Sequence, residues 1–425
     1  MKFPLSVSTA VLCTLVGHVS SFPSMLDSLS PSARQVIERE YESSLLKKRQ
    51  IQTLPPLTLP PINIPGLPLP LNIDLPGLVT VGRKIIPDAD HLFKAPGPTD
   101  QRGGCPGLNL MANYGYIDRS GITNVGELLY AQQEMLGFDT VLAAFLVALS
   151  AKTMTDLTTL KMSIGLTDSR TSGPLTLLFG QAPGLFSPPA HNKYEVDGSL
   201  AYTDEFFTSD RSGNRFNSSI WAKNVAIAKA NGGLMNNPFN AESRYAAYQR
   251  CVSTNPQCSW LFLEQLVFYA GETFSYLIMP STGPDGNLEP ATIDIVNTFT
   301  GAHDNGDGTY TKVPERLPAG STGPWYRRSI PLTLAELVEA GLASLSKHPV
   351  NFGANSNGVN TFLLSGTQYS PSLTVNKVVC LLIDTLYHYS LKYYWCSVSR
   401  YSLNTRMEVT ILKAVNYNQA PNHHK

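Results

Sequence analysis

The sequence predicts a mainly α fold, a single helical domain with long loops and little β structure. Three observations carry that expectation. Apolar residues recur at i, i+3, i+4 and i+7 from Thr123 onward, as in Val125, Leu128, Leu129, Gln132, Met135 and Leu136. Strand-like alternation is rare and no internal repeat is present. Pro (31) and Gly (32) are plentiful, which favours long ordered connections between the helices.

The 425 residues include 43% apolar ones, enough to bury a core and to exclude a wholly disordered chain. Lys plus Arg and Asp plus Glu both number 32, so the formal net charge is zero. No electrostatic pull toward nucleic acid follows, and no nucleic-acid partner is expected. The segment after Lys2, PLSVSTAVLCTLVG, is apolar but short for a membrane span. Residues 1–21 are therefore expected to be a secretion signal, cleaved near Ser21–Phe22, and the mature protein to be secreted with no membrane partner. Residues 22–85 read as a proline-rich arm or propeptide. Within it, Lys47-Lys48-Arg49 suits either a dibasic processing site or a solvated charge run. The stretch LPPLTLPPINIPGLPLPLNIDLPGLV suits an extended, polyproline-like conformation.

The folded domain is expected over 86–420, beginning near Ile86-Pro87. A first short helix is expected from Pro106 to about Asn113, stopped by Gly115. After Thr123 come the two helices parted by Gly137, the second ending near Ser150. Further helices are expected at Ile220–Ala230, Asn240–Cys251, Ser259–Tyr276, Thr333–Lys347 and Val375–Tyr389. One hairpin is expected over Asp304–Val313, through Asn305-Gly306. Asn217-Ser218-Ser219 is an N-glycosylation sequon. No nucleophile elbow, Walker loop or Rossmann fingerprint occurs.

Six cysteines are present, and Cys13 falls in the signal. Four of the other five can pair in three ways. The short separations favour Cys251 with Cys258 and Cys380 with Cys396, leaving Cys105. Pro106 suits the first position of a helix, which puts Cys105 at its N-cap. The N–H groups of Gly107 and Leu108 and the positive end of the helix would then favour a thiolate there, the state a metal ligand needs.

The run Cys105-Pro106-x-Leu108-Asn109-x-x-Ala112-Asn113-x-Gly115-Tyr116-x-x-Arg119-x-Gly121 resembles the proximal helix of the fungal haem-thiolate peroxidases, the family of chloroperoxidase and the unspecific peroxygenases. The resemblance implies that Cys105 is the axial ligand of a haem b iron, with Gly107, Leu108 and Tyr194 around the cofactor. Tyr114 stands where the family usually has His. A second stretch, Tyr194-Glu195-Val196-Asp197-Gly198-Ser199, resembles the family's cation-binding segment. It implies Mg2+ or Mn2+ held by Glu195, the Val196 carbonyl and Ser199; on its own the stretch reads as an acidic helix start. A third, Ala270-Gly271-Glu272, resembles the distal helix and makes Glu272 the acid–base carboxylate. Val313-Pro314-Glu315-Arg316-Leu317-Pro318, Trp325-Tyr326-Arg327-Arg328 and the region Pro349 to Phe362 resemble structural segments of the family.

The implied activity is that of a secreted peroxidase or peroxygenase using hydrogen peroxide on a small organic substrate. Thiolate ligation favours O–O cleavage at the haem. Two departures concern the proton shuttle. Family members carry either His at the position of Val196 or Arg at that of Gln265, and this chain has neither. Asp197 is then expected to lack its partner, and Tyr194 and Ser275 in place of Phe to make the pocket more polar. Two other readings stay open from sequence: a haem-binding member with weak or lost catalysis, and a cofactor-free secreted structural protein.

Overall fold

The computed structural model describes residues 75–155, 159–173, 176, 180–188, 191, 196–356, 359–363, 374–379 and 382. The signal, residues 22–74, Cys13, Tyr194, Glu195, Cys380, Cys396 and most of the helix expected at Val375–Tyr389 lie outside the described residues. Residues 375–379 are helical, as expected there.

Nine helices and nine short strands appear among the described residues, so the mainly α expectation holds. The helices are α1 (Pro106–Asn113), α2 (Val125–Glu134), α3 (Thr140–Met154), α4 (Ser218–Ala230), α5 (Asn237–Thr254), α6 (Phe262–Glu272), α7 (Phe274–Leu277), α8 (Ile293–Thr300) and α9 (Leu334–Lys347). The strands are β1 (Ile85–Ile86), β2 (Ile122–Asn124), β3 (Lys161–Ser163), β4 (Ser259–Trp260), β5 (Ala302–Asp304), β6 (Tyr310–Lys312), β7 (Trp325–Tyr326), β8 (Gly353–Ser356) and β9 (Val359–Asn360).

Local chemistry sets the helix starts. The Asn124 carboxamide accepts from Glu127 N at 3.0 Å and opens α2. Asp139 does the same for α3 through Leu142 N at 2.7 Å, and Thr333 for α9 through Glu336 N at 3.1 Å. Each such cap stabilises its helix by about 1 kcal/mol. Gly137, at φ 71°, separates α2 from α3 at the expected place. Asn217, the residue of the sequon, caps α4 by accepting from Ser219 N and Ile220 N.

Among the described residues the four sheets are small and antiparallel: β1–β7, β2–β3, β5–β6 and β4–β8–β9. The hairpin β5–β6 pairs Ala302 with Lys312 and turns at Asn305 to Thr309, as expected. The helix expected over Ser259–Tyr276 is shorter and interrupted. Cys251 and Cys258 form a disulfide, which closes a tight turn after α5. Ser259 and Trp260 therefore leave that turn extended and pair with Ala354 and Gly353. Helix α6 starts only at Phe262, and the chain bends at Thr273 before α7.

Helices α6 and α9 pack closely and form one side of the interior. A Cβ on Gly341 of α9 would lie 2.8 Å from Ala270 N of α6, so only glycine permits this approach. Upstream of Ile86, the chain is strapped to the domain through Glu134. Its carboxylate accepts from Thr80 N at 2.6 Å and from Lys84 Nζ at 2.6 Å, and lies 3.3 Å from Arg327 Nη1. Arg327 also donates to Gly82 O at 2.9 Å. Burial pushes the Glu134 carboxyl up, but Lys84, Thr80 and Arg327 together outweigh it and hold it below the ordinary range.

Candidate active site

The Cys105 loop is fixed by two asparagines one helical turn apart. Asn109 Nδ2 donates to Gly103 O and to Glu315 Oε1, both at 2.7 Å, while its Oδ1 accepts from Gly103 N at 3.0 Å. Asn113 Nδ2 donates to Glu315 O at 3.1 Å, and its Oδ1 accepts from Arg102 Nε at 2.9 Å. The motif's asparagines thus orient the segment that presents Cys105, and Glu315 of the Pro-Glu-Arg segment anchors them. Gly103 leaves no room for a side chain, since its Cβ would meet the Phe186 ring at 2.2 Å. Tyr114, at the family's His position, is buried; its hydroxyl accepts from Leu317 N at 3.1 Å and its ring meets Phe93 edge-on.

Cys105 occupies the N-cap of α1 as expected, with Pro106 in the first turn. Its side chain is half-buried and makes no capping hydrogen bond to the helix. That differs from the expected contact with the Gly107 and Leu108 N–H groups. Cys105, Gly107 and Leu108 instead line a cavity of about 310 Å3. Cofactor sites of this type span ~300–1,000 Å3. Glu272, Gly271 and Phe268 of α6 line the same cavity, as do Val196 and Ser199. Most of the remaining wall is apolar and aromatic, including Phe138, Phe145, Phe274 and Phe299.

Ser275 borders this cavity without making it markedly polar, because its hydroxyl is spent on Met235 O at 2.8 Å. The Ser199 hydroxyl accepts from Ala201 N at 3.2 Å and Tyr202 N at 3.1 Å. Val196 is buried. Asp197 is not stranded: its Oδ2 accepts from Ser259 N at 2.9 Å and lies 3.7 Å from His191 Nε2.

The main surprise is at Glu272. Its Oε1 lies 2.9 Å from Nη1 of Arg244, a residue of α5 that the sequence reading did not single out. The Arg244 side chain is 0% exposed and that of Glu272 15% exposed. Glu272 Oε2 is buried with no hydrogen-bond partner among the described residues. Burial pushes the Glu272 carboxyl up, Arg244 pulls it back, and the balance stands at about 7. Gln265, at the position of the absent family arginine, is fully buried and accepts a hydrogen bond from Arg244 Nη2. The one signal for Arg244 in the sequence is that it falls on the helix face shared by Asn240, Ala247 and Cys251, where a lone charge demands a partner.

Three features fit a haem in this cavity. Cys105 and the acid–base candidate share one chamber. Glycines border it where side chains would intrude: a Cβ on Gly271 would meet nothing within 4 Å, and one on Gly107 only Leu136, at 3.6 Å. Glu272, which borders it, keeps one buried carboxylate oxygen without a hydrogen-bond partner among the described residues. The fit to a divalent cation is incomplete. Among the described residues no group of three or more His, Cys, Asp or Glu could hold a metal.

A family model for peroxidase, family 2, matches residues 91–330, more than half of the chain. The chain is 27% identical over 312 residues to the aromatic peroxygenase of Cyclocybe aegerita, covering 72% of this chain and 75% of that protein. It is 28% identical over 272 residues to the aromatic peroxidase fscJ of Fusarium equiseti, covering 62% and 60%. It is 27% identical over 281 residues to the dothistromin biosynthesis peroxidase dotB of Dothistroma septosporum, covering 64% of each. The chain thus spans less than two thirds of the latter two. With a model match over most of the described domain and a shared chamber behind the Cys-Pro helix, the chain belongs to peroxidase family 2, the fungal haem-thiolate peroxidases.

Proposed function

We propose that this protein uses hydrogen peroxide to oxidise or oxygenate a small organic substrate, with haem b held by Cys105. The observation that carries this reading is the single cavity bordered by both Cys105 and Glu272. When bound, a thiolate-ligated haem supplies the electron density that favours O–O cleavage. The chain supplies the rest. The start of α1 favours the anionic form of the Cys105 sulfur. Glu272 takes a proton from one peroxide oxygen and returns it to the other, which leaves as water. A carboxyl poised at about 7 accepts and gives back a proton near neutral pH. The aromatic wall suits a flat or apolar organic substrate.

Glu195, the Val196 carbonyl and Ser199 are the proposed holders of Mg2+ or Mn2+, on the strength of the motif and of Val196 and Ser199 bordering the same cavity. No proton step is routed through that ion. Secretion is proposed as well: the apolar segment after Lys2 supports it, and the Cys251–Cys258 disulfide suits an oxidising compartment. Among the described residues no helix is long and apolar enough to cross a membrane.

The test is a reduced, CO-bound difference spectrum of purified protein followed by peroxide-dependent oxidation of an aromatic chromogen. A thiolate-type band that disappears in Cys105→Ala, with turnover that depends on Glu272, supports the proposal. A bound haem without turnover would instead leave a haem-binding protein, and no band at all would leave a scaffold.

A further inference from the structure

We propose that Arg244 is the positioning residue for Glu272, and that Gln265 fixes the direction in which Arg244 points. This rests on the reading of Glu272 as the proton-moving carboxylate. The guanidinium has defined partners on two of its three nitrogens. Nη1 donates to Glu272 Oε1 at 2.9 Å and to Gly198 O at 2.8 Å. Nη2 donates to Gln265 Oε1. Gln265 is itself held, because its Nε2 donates to Asp197 O at 3.2 Å. The rings of Trp260 and Tyr269 lie 4.5 and 5.2 Å from the guanidinium carbon. A planar cation held at its end groups and packed beside two rings has little freedom to swing.

The consequence falls on one oxygen of the carboxylate. Arg244 holds Oε1, while Oε2 has no partner among the described residues and Glu272 borders the cavity. One oxygen is thus anchored, and the other is left buried without a partner among the described residues. Merely joining α5 to α6 would not need a charge, since a buried ion pair is no better than good apolar packing for stability and costs desolvation. Arg250 is the other cation that acts on Glu272, but it donates to Ser199 O at 2.6 Å and lies 4.0 Å from Asp204 Oδ1. Arg244 itself does not border the cavity, so its effect on substrate must pass through Glu272.

The experiment follows the Glu272 carboxyl band by infrared titration of the haem-loaded full chain, assigned by difference from Glu272→Gln. The variants are Arg244→Met, Arg244→Lys and the double swap Arg244→Gln with Gln265→Arg. Arg244→Met is expected to raise the protonation midpoint by about 1–3 units. Arg244→Lys should raise it less, and the swap, which moves the cation onto α6 beside the same carboxylate, should lower it again. The kcat for peroxide turnover should fall in Arg244→Met, with KM for the organic substrate unchanged. A folded Arg244→Met protein with an unmoved midpoint would overturn the proposal. If that variant does not fold, Arg244→Lys decides: a raised midpoint supports the proposal, and an unmoved one sinks it. Should Glu272→Gln leave turnover intact while the midpoints shift as expected, the catalytic reading of Glu272 fails and the positioning by Arg244 stands.

Discussion

Around Cys105 the polar contacts are made by amides; around Glu272 they converge on one guanidinium. Asn109 and Asn113 share five hydrogen bonds with Gly103, Arg102 and Glu315, so loss of any one leaves others in place. Glu272 depends on Arg244, and Arg244 in turn on Gln265 and the Gly198 carbonyl. The first arrangement suits the proposed role of Cys105 as a ligand that must stay where it is. The second suits a group that must change its protonation state, because a charge network sets proton affinity as well as position. Redundancy and tunability are thus divided between two parts of one chamber.

Substitutions sharpen that contrast. The largest effect is expected for Glu272→Gln, which should lower peroxide turnover by about 10^2–10^4-fold while the haem spectrum is retained. In the unsubstituted protein, kcat/KM for peroxide should rise with pH toward a plateau above about 7, because the carboxylate is the form that accepts a proton. Below that point it should drop about tenfold per pH unit, read from initial rates across a buffer series. Arg244→Ala leaves a buried carboxylate without its counter-ion and should cost about 3–5 kcal/mol in denaturant unfolding. Asn109→Ala strands the Gly103 N–H and carbonyl, while Glu315 keeps Lys312, and should cost about 1–3 kcal/mol, with Cys105 still able to bind haem. Tyr114→Phe removes one acceptor for Leu317 N and should cost only about 0.5–1.5 kcal/mol. If Asn109→Ala abolished haem binding while Arg244→Ala changed nothing, the contrast would be reversed.

The same contrast decides what could be read from the sequence. Cys105, Pro106, Asn109 and Asn113 lie within one helix and its cap, so residue spacing alone reveals the unit. The Cys251–Cys258 pair and the Asn305-Gly306 turn are local in the same sense. Arg244 is not: its partners Glu272, Gln265 and Gly198 come from α6 and a distant loop, and no spacing rule joins them. Reading only the Val196 and Gln265 positions leaves the carboxylate looking unsupported, whereas Arg244 of α5 pairs with it. Ser259 and Trp260 went unrecognised as a strand because two residues show no alternation, and their pairing depends on Gly353 and Ala354 nearly a hundred residues away.

The strap formed by Thr80, Gly82 and Lys84 sets a limit on where the chain can be cut without loosening the domain. A protease cutting between Lys84 and Ile85 would strip Glu134 and Arg327 of their outer partners and leave that pair, 2% and 1% exposed, opened to solvent on one side. A cut that leaves the domain intact must therefore fall ahead of Thr80, so that the new amino terminus emerges beside the buried carboxylate that secures it.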